Sequence, residues 1–238
     1  MQVTVKHEGE LVELARRFPA FNRLQSAQIA PLQQRYWRRN NGASHSHDLQ
    51  VVFFGKSGYG KSSMVNALTG LESMATSDVA ACTREAQSTE YAIRPGNHLS
   101  LADLPGLGES EQRDQEYLKL YRQILEKADV VVYIVRADCR DYAIDQSAFA
   151  WLFSSTSQQR KVILAINGCD KIEPLQRHYS SVPSAEQLQS IKKKIVDLRR
   201  IFPDLSPIVP CSAATGWNLD ALSQEIAQLL ARSEGVCF

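Results

Sequence analysis

At 238 residues, 44% hydrophobic and 22% charged, the chain has the make-up of a globular protein with a proper buried core. Its 27 basic and 26 acidic side chains nearly cancel. The net charge of +1 excludes an overall field for gripping nucleic acid or an anionic membrane and leaves only local patches. No apolar run approaches the roughly 20 residues that span a bilayer, and the charged start of the chain lacks the apolar core of a secretory leader, so a cytoplasmic location is expected.

The chain divides near residue 48. Leu11, Leu14, Ala15 and Phe18, then Ile29, Leu32, Tyr36 and Trp37, recur at helical spacing, with Pro19 and Pro31 as punctuation. They predict a helical arm and linker over residues 1–48 that ends in a polar stretch at 38–47. Helices this short need a packing surface, so the arm either folds on the main domain or makes a homodimer or partner contact. The run His45-Ser46-His47-Asp48 reads as linker and not as a metal site. Five scattered cysteines, Cys82, Cys139, Cys169, Cys211 and Cys237, form no C-x-x-C pair and read as reduced, mostly buried thiols.

Over residues 49–238 strands alternate with helices, the pattern of an α/β domain whose parallel sheet is covered on both faces. Strands are predicted at 51–54, 99–102, 130–135, 162–166 and 208–209. Several are near-continuous apolar runs, as strands buried on both faces should be. The stretch 89–93 is more polar and suits an edge. Helices are predicted at 62–69, 111–127, 144–153, 185–200 and 217–232.

The run Gly55-Lys56-Ser57-Gly58-Tyr59-Gly60-Lys61-Ser62 matches G-x-x-x-x-G-K-[ST] in full, after an apolar strand and at the head of a helix. Glycines let the backbone approach phosphate oxygens, and successive N–H groups with the helix N-terminus make a positive concavity. Ser57, Gly58, Tyr59, Gly60, Lys61, Ser62 and Ser63 are therefore the candidate phosphate cradle. Lys61 is expected to reach the β- and γ-phosphates and Ser62 to ligate Mg²⁺. This loop alone does not separate GTP from ATP.

Asp103-Leu104-Pro105-Gly106 follows the next long strand, where a carboxylate can hold Mg²⁺ and Gly106 can bring its N–H to the γ-phosphate. Between the two motifs, Thr83 offers a hydroxyl that could complete the metal shell only while the γ-phosphate is present. Asn167-Gly168-Cys169-Asp170-Lys171 ends a further strand. Asp170 there can accept from guanine N1–H and the N2 amino group, a donor pair adenine lacks. Amides of Ser212, Ala213 and Ala214 can donate to guanine O6, although this segment also reads as a helix cap.

With these elements in order, residues 49–232 resemble the Era-like bacterial group of translation-factor-related P-loop GTPases. The wording Gly58-Tyr59-Gly60-Lys61-Ser62-Ser63, Thr83-Arg84-Glu85 and Asp103-Leu104-Pro105-Gly106-Leu107-Gly108-Glu109 is similar to a small prophage-type family within it. The resemblance implies a three-layer G domain: a mostly parallel six-stranded sheet with one antiparallel edge strand, a GTP–Mg²⁺ site, and switch loops at about 75–88 and 103–115. Three positions depart from the group. Gly168 replaces the lysine whose stem packs along the nucleotide, with Lys171 or a residue after Thr215 as a candidate substitute. Leu107 replaces the water-orienting glutamine, which implies slow intrinsic hydrolysis. Gly58 stands where potassium-stimulated members carry asparagine.

The expected function is a GTP-binding molecular switch with slow, Mg²⁺-dependent hydrolysis. A nucleotide-dependent dimerising or assembly module is an alternative of another class. A ribosome-associated GTPase is a third, resting on Lys192-Lys193-Lys194 and Arg199-Arg200, which also read as a solvated helix face. An ATP-using enzyme survives only if the Asn167–Asp170 segment reads no base.

Overall fold

Runs rich in β-branched and aromatic residues become the centre of a six-stranded sheet. The computed structural model describes residues 49–70, 87–94, 97–104, 121–175 and 180–232. The arm over 1–48, Thr83, Gly106, Leu107, most of both expected switch loops, Cys82 and Cys237 lie outside the described residues. The strands are β1 (Leu49–Gly55), β2 (Gln87–Arg94), β3 (Asn97–Asp103), β4 (Val130–Arg136), β5 (Val162–Asn167) and β6 (Ile208–Pro210), in the order β2-β3-β1-β4-β5-β6. Five run parallel. The polar strand β2 pairs antiparallel with β3 at the edge, where a strand need not be apolar on both sides.

Phe53 and Phe54 are both fully buried. Neighbouring strand residues point to opposite faces, so the sheet is covered on both. On one face Phe54 meets Tyr121 and Tyr133 edge-on at centroid distances of 4.9 and 5.5 Å, and Tyr133 meets Phe149 at 6.0 Å. Burying each such ring contributes about 1.5–3 kcal/mol.

The helices are α1 (Lys61–Thr69), α2 (Ala143–Leu152), α3 (Thr156–Gln159), α4 (Ala185–Ile201) and α5 (Leu219–Arg232), with a further helical stretch at 121–127. The short α3 escapes the periodicity because one turn carries no repeat; a capping box between Ser155 and Gln158 starts it. The last helix begins two residues later than the pattern suggests, because Asn218 takes a left-handed φ of 58° and its side-chain amide donates to Pro210 O at 2.7 Å. No described helix is long and apolar enough to cross a membrane.

Parallel strands deliver their C-terminal ends to one edge of the sheet. Segments 55–62, 103–104, 167–171 and 211–215 therefore gather there. At the opposite edge, Lys161 Nζ donates to the carbonyls of Leu125, Glu126 and Ala128 at 2.5, 3.3 and 3.1 Å, closing the end of the 121–127 helix.

Candidate functional site

The phosphate-type loop begins where β1 ends. Gly55 lies in register with Ile134 of β4, and a Cβ there would stand 2.3 Å from Ile134 O. Only glycine permits that approach. Gly60, at φ +83°, turns the chain into α1, and a Cβ on it would meet Asn167 Nδ2 at 2.5 Å. Between them Tyr59 N–H donates to Lys56 O at 3.3 Å, and Lys61 Nζ reaches back to the same carbonyl at 3.4 Å. Lys61 is thus drawn across the loop and only 6% exposed. A helix N-terminus, a wrapped backbone and a buried ammonium make a receptor for a polyanion.

Pairing of β1 with β3 sets Phe53 opposite Asp103, which brings a fully buried carboxylate beside that loop. Ser62 Oγ donates to Asp103 Oδ2. A hydroxyl and a carboxylate in contact are hard oxygen donors of the kind Mg²⁺ takes, so these residues fit the metal.

On the other side, Asn167 acts as a strut. Its Nδ2 donates to Tyr59 O at 3.0 Å and its Oδ1 accepts Ala213 N–H at 3.0 Å, so one buried amide ties the phosphate-type loop to the β6 loop. Ala213 N–H, expected to face a base, is committed to this strut. Ser212 N–H, also expected to face a base, donates instead to Trp217 O at 3.0 Å, and Thr215 N–H to Ser212 Oγ at 3.2 Å, which leaves Ala214 without such a duty among the described residues. Asp170 Oδ1 accepts from the buried Ser212 hydroxyl at 2.6 Å. A carboxylate offers about four lone-pair sites, so this bond orients Asp170 without exhausting it.

Cys169 N–H donates to Cys211 O at 3.1 Å and Cys211 N–H to Ile166 O at 2.8 Å, stapling the two loops. Burial pushes the Cys169 thiol up to about 12, so it stays an inert packing group. A Cβ on Gly168 would meet nothing within 4 Å, and Lys171 is exposed close by in the chain.

Several residues of the site carry no motif signal. Gln187 Nε2 donates to Ile172 O at 2.9 Å and to Asp170 O at 3.4 Å, while its other atoms close a capping box with Ser184. The Ser184-x-x-Gln187 spacing signals the cap and not the loop support. Tyr59, read as cradle, turns its side chain inward to Asp145 Oδ2 at 3.2 Å. Lys194 corrects an expectation: it is no part of a solvated basic face. Its Nζ donates to Cys139 O at 2.5 Å and to Tyr142 Oη at 3.2 Å, and burial lowers its pKa. Its place between buried Ile191 and Leu198 was the available signal. Lys192, Lys193, Arg199 and Arg200 are exposed.

A family profile described as 50S ribosome-binding GTPase matches residues 50–168. YfjP of Escherichia coli strain K12 is 33% identical over 200 residues, covering 84% of this chain and 68% of YfjP. GTPase Era of Aquifex aeolicus is 29% identical over 191 residues, covering 77% of this chain and 57% of Era. Among solved structures, Era in complex with MgGDPNP and a 16S ribosomal RNA fragment aligns with a TM-score of 0.62 at 26% identity, over 78% of this chain and 57% of that one.

Proposed function

The chain belongs to the 50S ribosome-binding GTPase family, and we propose that it binds GTP with Mg²⁺, hydrolyses it slowly and acts as a molecular switch. The observation that carries this reading is the Asn167 strut, which holds the Lys61 loop and the Asp170 loop as one unit at one sheet edge. In this reading the amides of Gly58 and of Gly60 to Ser63 hold the phosphates and Lys61 neutralises the β- and γ-oxygens. Ser62 and Asp103 hold the metal, which would draw charge from the phosphate oxygens. Thr83 and Gly106 would join them when the γ-phosphate is bound. Asp170, oriented by Ser212, accepts from guanine N1–H and the N2 amino group, and Ala214 N–H donates to O6. Leu107 cannot orient a water, so turnover waits on another group or a partner.

Competition of GTP against ATP for the full chain, repeated with Asp170→Asn, tests this. GTP should win for the wild type, and the variant should turn to xanthine nucleotides. Equal competition by ATP, or a variant with unchanged preference, would sink the base assignment.

A ribosomal contact is the second reading. It is supported by the family description and by the RNA complex formed by Era. Failure of GTP-loaded protein to co-sediment with ribosomal particles at low salt would remove it.

A further inference from the structure

Tyr59 sits at the apex of the phosphate loop, yet its side chain serves none of the groups assigned above. We propose that Tyr59 and Asp145 form a positioning clamp that sets how long a nucleotide stays bound and leaves the hydrolytic step alone. This rests on the reading of segment 55–62 as the GTP phosphate site.

The tyrosine is 5% exposed and sits between two glycines at φ +76° and +83°. Such a neighbourhood gives the apex little stiffness of its own. One bond within the loop and two from outside supply it. Lys56 O accepts Tyr59 N–H at 3.3 Å, Asn167 Nδ2 donates to Tyr59 O at 3.0 Å, and Tyr59 Oη donates to Asp145 Oδ2 at 3.2 Å.

Asp145 lies in the first turn of α2 and is fully buried. Its Oδ1 accepts from Tyr133 Oη of β4 at 3.2 Å, so the carboxylate joins the loop apex to the central sheet. Cys139 Sγ, 3.3 Å from Tyr59 Oη, is the other neighbour of the phenol. The 136–142 segment that carries Cys139 is braced in turn. Tyr142 Oη donates to the carbonyls of Arg136 and Cys139 at 3.1 and 3.0 Å, and Lys194 reaches Cys139 O. Burial raises the Asp145 carboxyl, while the Tyr59 and Tyr133 hydroxyls act the other way by stabilising its charged form. A buried carboxylate needs such partners.

The clamp works on the ligand through the loop backbone. An apex already fixed lowers the ordering cost of binding, and an apex set loose shortens residence. The phenol's hydrogen-bond partners are Asp145 and Cys139, neither of them assigned to the phosphates or the metal, so chemistry on a bound nucleotide should be spared.

The test uses the full chain, a fluorescent GDP analogue displaced by excess GDP, single-turnover hydrolysis of bound GTP, and urea unfolding. Tyr59→Phe deletes one oxygen. It should raise the nucleotide off-rate about tenfold, as expected for losing a hydrogen bond to a charged group. Asp145→Asn, outside the nucleotide site, keeps the shape and one acceptor oxygen; its off-rate should fall between wild type and Tyr59→Phe, with the single-turnover rate unchanged. If Tyr59→Phe lowers the urea midpoint but leaves the off-rate alone, the tyrosine is merely structural and the clamp is refuted. Hydrolysis falling in step with residence also refutes it. An off-rate raised in Tyr59→Phe but normal in Asp145→Asn overturns the carboxylate arm in favour of Cys139. Wild-type protein that holds no guanine nucleotide overturns the site reading together with the clamp, whereas normal wild-type binding with a normal Tyr59→Phe off-rate overturns the clamp alone.

Discussion

Asn167→Ala removes both ends of the strut that joins the two loops. Two bonds of 3.0 Å disappear, from Nδ2 to Tyr59 O and from Ala213 N–H to Oδ1. Each contributes about 0.5–1.5 kcal/mol net, and a buried partner left unsatisfied costs about 1–3 kcal/mol. The Tyr59 end is buried, whereas Ala213 is half-buried and water can replace the lost acceptor there. The expected loss of stability is therefore about 2–4 kcal/mol, which a domain of ordinary stability survives. Nucleotide binding must then order two loops that the strut used to hold. The affinity can fall by no more than the strut contributed, roughly 30- to 700-fold. Urea unfolding of the nucleotide-free protein gives the first quantity and calorimetric titration with GDP the second. A stability loss below about 1 kcal/mol would refute the strut. An affinity loss larger than the stability loss would also refute it, because Asn167 would then have to touch the nucleotide itself.

Gly55→Ala forces a Cβ to 2.3 Å from the Ile134 carbonyl in the sheet centre, where neither backbone can yield. It should cost more than about 4 kcal/mol or prevent folding, seen as insoluble expression, whereas Gly58→Ala meets nothing within 4 Å and should cost only about 1–2 kcal/mol. Lys161→Met strips three carbonyls of their donor at the edge away from the loops. It should lower stability by about 1–3 kcal/mol with nucleotide affinity unchanged, as read by urea unfolding and titration. Burial raises the Asp145 carboxyl, so the folded state holds that proton more tightly than the unfolded chain does. The resulting stability is present below the unfolded value of about 3.9 and is lost as pH rises through the folded value. Wild type should therefore lose stability relative to Asp145→Asn as pH is raised above the unfolded carboxyl value, read in paired urea titrations.

Much of the frame was legible without coordinates. The apolar runs at 130–135 and 162–166 became β4 and β5 with a residue or less of difference at either end, because only strands buried on both faces need such runs. The polar stretch at 89–93 went to the edge for the converse reason. Lys61 and Ser62 were placed by the spacing of the glycines, since a loop that wraps an anion needs them where they stand. Lys194 was misread because a basic triplet hides the one member that lies on the buried stripe of α4.

Sequence alone determined which of the described segments are the strands and the longer helices, which end of the sheet carries the polar loops, and which residue types stand there. These depend on short-range spacing, and spacing is written in the chain. Only the tertiary structure decided what those residues hold. The register of Phe53 on Asp103 set the carboxylate against Ser62, 41 positions away, and the pairing of β4 with β5 brought Asn167 under Tyr59, 108 positions away. Hydrogen bonds across such separations leave no periodic trace. They exist because burial obliges every polar group to find a partner, and the fold chooses which one.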